Sequence, residues 1–407
     1  MVSDIAPDSL SAIERGPRSS PASGWRRVPG VRRRRVKVSL ALIAIASVVF
    51  VVASVGDIKA LKSLAGRAMG AFGSFLKNAK GQIEEVVSPE KTAVAAPRAQ
   101  AEVEAPALPI KVNHGWFEPV PGPGMEWFPS TFETTDGSYD LIIHFHGNPD
   151  VVKESVERAH LNAVLVTLNI GLGSGTYEQF FKKPKQYEKL LAAIDEGVRR
   201  RGVEHPHLRR VALTSWSAGY GAISSILAMR EKTDPLDAIL TFDGVHCSWE
   251  GGSSAQLGGI ITNSAQLTPE LVAAHASGLI QTSQLGPFLR AAEDAVAGKI
   301  YFGFTHSEID PMSYASTTRT ANYLLEQVGA TRAPLDPVAD APPYVELDAM
   351  ETIVDKKKAQ RMVPLTEARK GLFHVIGYQG TTPEHHNAHL FEMSQLLYVE
   401  LYDRWKN

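Results

Sequence analysis

Serine, aspartate and histidine side chains recur in this 407-residue sequence at the ends of short apolar runs. The run RRVALTSW leads into Ser-Trp-Ser-Ala-Gly, where Ser217 stands among small residues at the start of a helical pattern. A serine hydroxyl becomes a nucleophile when an imidazole takes its proton and a carboxylate orients that imidazole. The candidate partners are Asp243 and Asp310 for the carboxylate, and His385, His386 and His389 for the imidazole.

The histidines also allow a metal-dependent hydrolase as an alternative. His144 and His146 alternate along a predicted strand, so they would share one face of it, and His386 and His389 would share one face of a helix. Four imidazoles beside a carboxylate are a ligand set that can bind zinc. Ser217 would then have no catalytic role.

The elements that must position these groups form an alternating series from about residue 110. Continuous β-branched runs predict strands, and the amphipathic stretches between them predict helices. The alternation indicates an α/β fold with a mostly parallel sheet covered by helices on both faces, whose working residues gather beyond the carboxyl ends of the strands. The predicted strands are 139–145, 162–170, 209–216, 237–244, 299–306 and 372–378, and the predicted helices are 151–160, 181–201, 218–230, 288–298, 316–328 and 388–405.

Residues 110–407 resemble the α/β-hydrolase superfamily. The resemblance rests on a His146-Gly147 turn after an early strand, on SWSAG between a strand and a helix, and on histidines after the last strand. In that family the nucleophile occupies a G-x-S-x-G elbow on a strained turn. Here Ser215 replaces the first glycine, and serine is small enough to let strand and helix approach.

The resemblance implies a role for each candidate. The family's histidine lies just before the last helix, its acid follows one of two later strands, and its oxyanion hole uses backbone amides. No cofactor or metal is implied. The expected site residues are Ser217, His386 and Asp310, with Asp243 as the alternative acid and His385 or His389 as the alternative base, and the amides of Ala218 and of Asn148 or Gly147 for the oxyanion hole.

Two further segments depart from the strand and helix alternation. Residues 247–287 are rich in Gly, Ser and Gln, and an insertion at this place predicts a cap over the site, with Trp249 and nearby aliphatic residues lining a pocket. The run GLGSG at 171–175 is similar to a phosphate-binding loop, but no Lys-Ser/Thr follows it. A mobile turn is therefore the prediction there.

The amino-terminal part of the chain predicts a membrane anchor. Residues 1–37 read as a disordered leader that ends in a basic cluster, and residues 38–55 form an apolar run long enough to cross a bilayer. The long leader favours an uncleaved transmembrane signal anchor, and the basic cluster places the domain after it on the non-cytoplasmic side. Residues 56–109 predict an amphipathic segment followed by an Ala/Pro-rich linker.

Composition limits the remaining possibilities. The formal net charge is -2 and 44% of the residues are hydrophobic, so the chain has no global bias toward nucleic acid and has the composition of a globular protein. The single cysteine, Cys247, excludes an intramolecular disulfide. The expectation is a membrane-anchored, esterase-like serine hydrolase that acts on a small-molecule or lipid-like acyl substrate. A catalytically inactive binding module of the same fold is a further alternative.

Overall fold

The described residues form one mixed β-sheet with helices on both faces. The computed structural model describes residues 109–120, 123–230, 235–252, 267–343, 346–352 and 360–406. The strands are β1 (Gly115–Val120), β2 (Gly124–Phe128), β3 (Ser138–Phe145), β4 (Val164–Leu168), β5 (His207–Trp216), β6 (Leu236–Phe242), β7 (Tyr301–His306), β8 (Ala333–Pro334), β9 (Pro364–Lys370) and β10 (Phe373–Tyr378).

The helices follow most strands and return the chain to the start of the next one. They are α1 (Pro149–Arg158), α2 (Ser174–Phe181), α3 (Gln186–Arg200), α4 (Tyr220–Met229), α5 (Pro269–Ser277), α6 (Gly286–Val296), α7 (Thr317–Val328), α8 (Pro383–Phe391) and α9 (Leu397–Trp405). Short 3₁₀ turns cover Ser217–Gly219, Thr282–Leu285, Asp348–Thr352 and Met393–Gln395.

The sheet is parallel in its centre and antiparallel at both edges. Its strand order is β1-β2-β4-β3-β5-β6-β7-β10-β9-β8. The six strands from β4 to β10 in this order pair in parallel, and β1, β2, β9 and β8 pair antiparallel. The prediction of a mostly parallel sheet with helices on both faces holds for these six central strands, whereas the ten-stranded sheet as a whole is mixed. The four edge strands were not predicted, because edge strands such as β9 (PLTEARK) are only half buried and carry polar residues.

Two apolar cores lie on the two faces of the sheet. Along β3 the side chains alternate, so Leu141 and Ile143 pack with one core and Ile142 with the other. The first core includes residues of α2 to α7, and the second includes residues of α1, α8 and α9. Both faces of the central strands are therefore covered, which explains their continuous apolar sequences.

Two predicted helices are divided in the structure. Residues 181–201 contain the end of α2 and all of α3, and Lys185 between them has a left-handed backbone (φ +56°) directly after Pro184. Residues 388–405 contain the last turn of α8, a 3₁₀ turn and α9, and the backbone of Leu396 (φ -93°, ψ -115°) lies outside the helical region. The predictions of single continuous helices over these ranges were wrong.

The predicted membrane anchor lies outside the described residues. This applies to residues 1–37 and 38–55, and to 56–109 except for its last residue. Within the part of the chain that the structure describes, none of the helices combines the length and the apolar character that crossing a bilayer requires.

Candidate active site

The turn after β5 displays Ser217 at the edge of the sheet. Ser217 has a left-handed backbone (φ +50°), a strained conformation for a residue with a side chain, and it is partly exposed. Gly219 allows the turn to approach β3, because a Cβ there would lie 2.0 Å from the carbonyl oxygen of Phe145. A Cβ at Gly244 would lie 2.4 Å from the carbonyl oxygen of Ser217. The local sequence therefore produces the predicted elbow.

A buried carboxylate and imidazole form a pair beside this elbow. Asp243 follows β6, the strand next to β5, and its Oδ2 accepts a hydrogen bond of 2.7 Å from Nδ1 of His386 on α8. Ser217, Asp243 and His386 line the same cavity of about 20 Å³. Because a carboxylate only accepts hydrogen bonds, Nδ1 of His386 carries the proton and Nε2 is left as an acceptor.

Other donors hold the Asp243 side chain in its charged form. Its carboxylate accepts hydrogen bonds from the Ser307 amide (2.9 Å), the Ser307 hydroxyl (2.8 Å) and the Thr317 hydroxyl (2.6 Å). Burial opposes ionisation, but the adjoining imidazoles of His389 and His386 and the Thr317 hydroxyl hold the pKa of Asp243 well below its usual value. Asp243 is therefore ionised at neutral pH.

The two alternative bases have other partners. Nδ1 of His385 lies 2.9 Å from the Thr382 hydroxyl. His389 is fully buried, with Nδ1 2.8 Å from the Thr305 hydroxyl and Nε2 4.0 Å from Asp243 Oδ2. Burial lowers the pKa of His389 to about 4. Of these three neighbours, His386 is the one that the structure places within hydrogen-bond distance of Asp243.

Asp310, the residue ranked first for the acid, is not brought to His386. Its Oδ2 lies 2.9 Å from Nε2 of His275 on α5, and 47% of its side chain is exposed. Its Oδ1 accepts a hydrogen bond from the Met312 amide, as expected of a residue in a turn. The structure thus supports Asp243, the alternative of the sequence analysis, as the partner of His386.

The candidate oxyanion amides follow β5 and β3. The Ala218 amide comes directly after Ser217 in the elbow. The Gly147 amide donates to Asn169 Oδ1 at 3.0 Å, so it is already engaged, while the side chain of Asn148 caps the first turn of α1. With the Gly147 amide engaged, the Asn148 amide is left as the candidate for the second backbone donor.

The histidines of the alternative metal site are not assembled as ligands. Nδ1 of His144 lies 2.8 Å from the Thr214 hydroxyl and Nε2 lies 2.8 Å from the carbonyl oxygen of His146, so both nitrogens of this ring are engaged. Nδ1 of His146 lies 2.9 Å from the Tyr177 hydroxyl. Among the described residues, no group of three or more His, Cys, Asp or Glu side chains is arranged to hold a metal ion.

Several residues that surround the pair of Asp243 and His386 were not predicted from the sequence. Trp216 stacks on His146 (ring centroids 5.4 Å apart) and contacts the ring of His386 (4.7 Å), and its Nε1–H donates to the His386 carbonyl oxygen. Thr317 at the start of α7 and Ser307 after β7 donate to Asp243. A position at a strand end was a usable signal for Trp216, the last residue of β5, and for Ser307, directly after β7, whereas Thr317 had no such signal.

A larger cleft lies next to the small cavity. It has a volume of about 810 Å³ and lies along α2 and α4, and His246 lines both spaces. Trp249, which was expected to line a pocket, is instead fully buried and donates its Nε1–H to the Met312 carbonyl oxygen. Residues 253–266 of the predicted cap lie outside the described residues.

No protein-family model and no curated protein sequence matches this chain. Similar solved structures include the acylaminoacyl peptidase of Pyrococcus horikoshii (12% identity, TM-score 0.37), of which this chain covers 42% while 73% of this chain is aligned. Others are an α/β-hydrolase enzyme from the metagenome of Lake Arreo (12%, 0.35; 76% of this chain, 85% of that one) and the LpqC poly(3-hydroxybutyrate) depolymerase of Bordetella parapertussis (12%, 0.34; 69% and 83%).

These similarities carry no information on the activity of this chain, and it spans about two fifths of the peptidase. Its own features are more informative. The central parallel strands and the elbow between β5 and α4 occur where the resemblance to the superfamily predicts them. The carboxylate that pairs with His386 follows β6, the alternative position, whereas the first-ranked Asp310 follows β7. By its own strand order and elbow, the described domain has the α/β-hydrolase fold.

Proposed function

We propose that this chain is an esterase-like serine hydrolase, which cleaves an ester or a related acyl bond through an acyl-serine intermediate at Ser217. The observation that carries the proposal is the buried 2.7 Å pair of Asp243 and His386, which shares one cavity with a serine held on a strained turn. If Ser217 only capped the helix that follows it, neither a buried acid-base pair nor a glycine such as Gly244 packed against its backbone would be required.

The proposed reaction assigns one role to each group. Ser217 Oγ attacks the carbonyl carbon of the substrate and passes its proton to Nε2 of His386, whose positive charge the ionised Asp243 stabilises. The amides of Ala218 and Asn148 donate to the oxyanion that forms. His386 then gives the proton to the leaving group, and water activated by the same imidazole releases the acid and restores Ser217.

A fluorophosphonate probe tests the proposal, because it reacts with an activated serine regardless of the natural substrate. We expect the wild-type chain to be labelled at Ser217 and the Ser217→Ala variant to lose labelling by about 10³-fold or more. Ser130→Ala changes an exposed serine away from the site and serves as the matched control. Equal labelling of Ser217→Ala would refute the assignment, and no labelling of the folded wild type would favour an inactive binding module.

We also propose that residues 38–55 anchor the chain in a membrane, with the hydrolase domain on the non-cytoplasmic side. The support is the sequence: a segment of 18 residues in which three serines are the polar residues covers about 27 Å as a helix, and a basic cluster precedes it. The wild type should stay with membranes during alkaline carbonate extraction, and Ile45→Arg combined with Val48→Arg should release it. Val94→Arg in the linker is the control, and release of the wild type would contradict the proposal.

A further inference from the structure

The turn after β3 has an unusual backbone. His146 and Gly147 both have left-handed backbones (φ +69° and +124°), which residues with a side chain rarely adopt. Phe145, directly before the turn, pairs in register with Ser215, so the turn begins beside the strand that carries the nucleophile elbow. The ring of His146 also stacks on Trp216. Two consecutive residues in this backbone region persist only when their surroundings hold them.

The peptide group between His146 and Gly147, the clamped peptide, is hydrogen-bonded at both of its ends. Its carbonyl oxygen lies 2.8 Å from Nε2 of His144, a side chain that is 1% exposed. Its amide donates to Oδ1 of Asn169, the first residue after β4, at 3.0 Å. Because a peptide group is planar, bonds at its two opposite ends fix the rotation of the whole plane.

The partners of His144 set its tautomer. The carbonyl oxygen of His146 can only accept, so Nε2 of His144 carries the proton and Nδ1 is left as an acceptor. Nδ1 lies 2.8 Å from the Thr214 hydroxyl, which in turn lies 3.2 Å from the hydroxyl of Tyr398. Burial lowers the pKa of His144 to about 3, so the ring is neutral at pH 7. The two hydroxyl groups can therefore donate toward His144, while His144 donates toward the turn.

The next peptide group carries the amide of Asn148, the candidate second oxyanion donor. Gly147 links this group to the clamped peptide, and a free glycine would allow the two planes to rotate against each other. On the other side the chain is fixed, because the Asn148 side chain accepts from the amides of Asp150 and Val151 in the first turn of α1. The direction of the Asn148 amide therefore depends on the clamped peptide before it and on the helix cap after it.

We infer that His144 and Asn169 are positioning residues, which hold the clamped peptide and thereby aim the Asn148 amide at the oxyanion formed during attack by Ser217. The inference rests on the proposed hydrolysis at Ser217. Oxyanion donors are effective because they are in place before the charge develops, and a misplacement of about 1 Å can cost about 10²-fold in rate. Loss of either side chain should therefore slow the chemical step.

The rate constant of fluorophosphonate labelling tests the inference with the full-length chain. Negative charge develops on the phosphoryl oxygen during labelling, so the rate constant reports on the oxyanion donors, whereas the fraction labelled at completion counts the folded sites. Asn169→Ala changes an exposed residue and should lower the rate constant by about tenfold or more. His144→Asn should lower it by about 10²-fold. A merely structural role would lower the fraction labelled and leave the rate constant unchanged.

A matched pair of substitutions at residue 144 isolates the bond to the clamped peptide. The amide of His144→Gln extends to the place of Nε2 and can still donate to the carbonyl oxygen, whereas the amide of His144→Asn ends near Nδ1. We expect His144→Gln to label within about threefold of the wild-type rate constant and His144→Asn to stay slow. His374→Asn is the control and should leave the rate constant unchanged, because His374 is equally buried (1% exposed) and its Nδ1 contacts Glu400 of α9.

The pH profile of labelling distinguishes an effect on the oxyanion donors from an effect on the base. Neither Asn169→Ala nor His144→Asn alters the pair of Asp243 and His386, whose imidazole must be neutral to accept the serine proton. The rate constant should therefore fall by the same factor at every pH, and the midpoint of the profile should not move. A shifted midpoint would mean that the substitution acts through His386, and it would overturn the inference.

The outcomes separate this inference from the proposed function. If the wild type is labelled at Ser217 but Asn169→Ala or folded His144→Asn keeps the wild-type rate constant, the clamped peptide does not position the donor and the hydrolase proposal is unaffected. Labelling of His144→Gln as slow as that of His144→Asn also overturns the inference. If His144→Asn does not fold, Asn169→Ala alone decides. If the folded wild type is not labelled, both proposals fail together.

Discussion

Two aspartate and histidine pairs lie close to the predicted site, and they differ in their surroundings. Asp243 and His386 are 2.7 Å apart, and 2% of the Asp243 side chain is exposed. Asp310 and His275 are 2.9 Å apart, and 47% of the Asp310 side chain is exposed. The first carboxylate accepts further bonds from Ser307 and Thr317, and the second lies in a surface turn. Similar distances therefore accompany very different environments.

The difference shows that burial and topology, more than the pairing itself, distinguish a candidate catalytic pair. An exposed ion pair is screened by water and contributes little. A buried pair in which the carboxylate stays charged keeps its imidazole in one tautomer and supports a positive charge on it. The strands β5 and β6 are adjacent and parallel, so their carboxyl ends bring Ser217 and Asp243 to the same edge.

Exchanging one carboxylate oxygen in each pair tests this comparison most severely. Asp243→Asn should lower the rate of fluorophosphonate labelling by about 10³- to 10⁴-fold, because the amide no longer fixes the tautomer of His386 or stabilises its charge. Asp310→Asn should change the rate by less than about twofold, since an exposed pair contributes little. A larger effect from Asp310→Asn would reverse the assignment of the acid.

A methyl group behind the nucleophile tests whether the elbow depends on close backbone packing. Gly244→Ala places a Cβ 2.4 Å from the Ser217 carbonyl oxygen, so the free energy of unfolding should fall by about 1–3 kcal/mol and labelling should slow. At Gly286 the nearest atom to an added Cβ is the end of the Arg290 side chain at 3.6 Å, so Gly286→Ala is the control. Urea unfolding measures the free energy of unfolding of both variants. Equal values for Gly244→Ala and Gly286→Ala would show that the elbow can relax around the added methyl group.

The imidazole of His389, next to the pair of Asp243 and His386, should affect how the free energy of unfolding depends on pH. The pKa of His389 is about 4 in the folded chain and near 6.5 when unfolded, so between these values the unfolded chain binds the extra proton. The neutral ring makes its full contribution to the free energy of unfolding above pH 6.5. This contribution is lost as the pH falls from 6.5 toward 4, by up to about 1.4 kcal/mol per pH unit. His389→Gln cannot titrate, so its free energy of unfolding should fall less between pH 7 and pH 4.5. An unchanged slope would mean that His389 is protonated or solvated in the folded chain.

Two buried serines differ in hydrogen bonding. The hydroxyl of Ser307 has a partner, and the hydroxyl of Ser215 has none among the described residues. Ser307 donates to Asp243, so Ser307→Ala should lower the free energy of unfolding by about 1.5–3 kcal/mol. For Ser215 Oγ the described residues provide no hydrogen-bond partner, so Ser215→Ala should change stability by less than about 1 kcal/mol or increase it. A large loss from Ser215→Ala would indicate a partner outside the described residues.

The sequence was sufficient for the central strands and for the elbow, because both depend on local patterns. Apolar runs such as YDLIIHF are buried on both faces of the sheet. The small residues around Ser217 are needed because the turn packs closely against the backbone of the neighbouring strand β3. The choice of His386 among three histidines came from the resemblance, which places the base just before the last helix. The structure pairs that residue with Asp243.

The sequence was insufficient where long-range contacts decide. Asp243 and Asp310 both follow strands, and nothing near Asp310 indicates that His275, 35 residues earlier, pairs with it. The spacing of His144 and His146 suits a metal, yet the partner of His144 is Thr214 on the adjacent strand β5. The separation of α8 from α9 also has no marker such as proline or glycine in residues 392–396.

Trp216 places an aromatic ring directly beside the candidate base. Its indole faces the ring of His386 at 4.7 Å, with the two planes tilted by 30°. When that imidazole carries the positive charge of the proposed reaction, the charge faces an aromatic π-system within the range of a cation–π contact. The indole of Trp216 is therefore placed to stabilise the charged intermediate state of the candidate base.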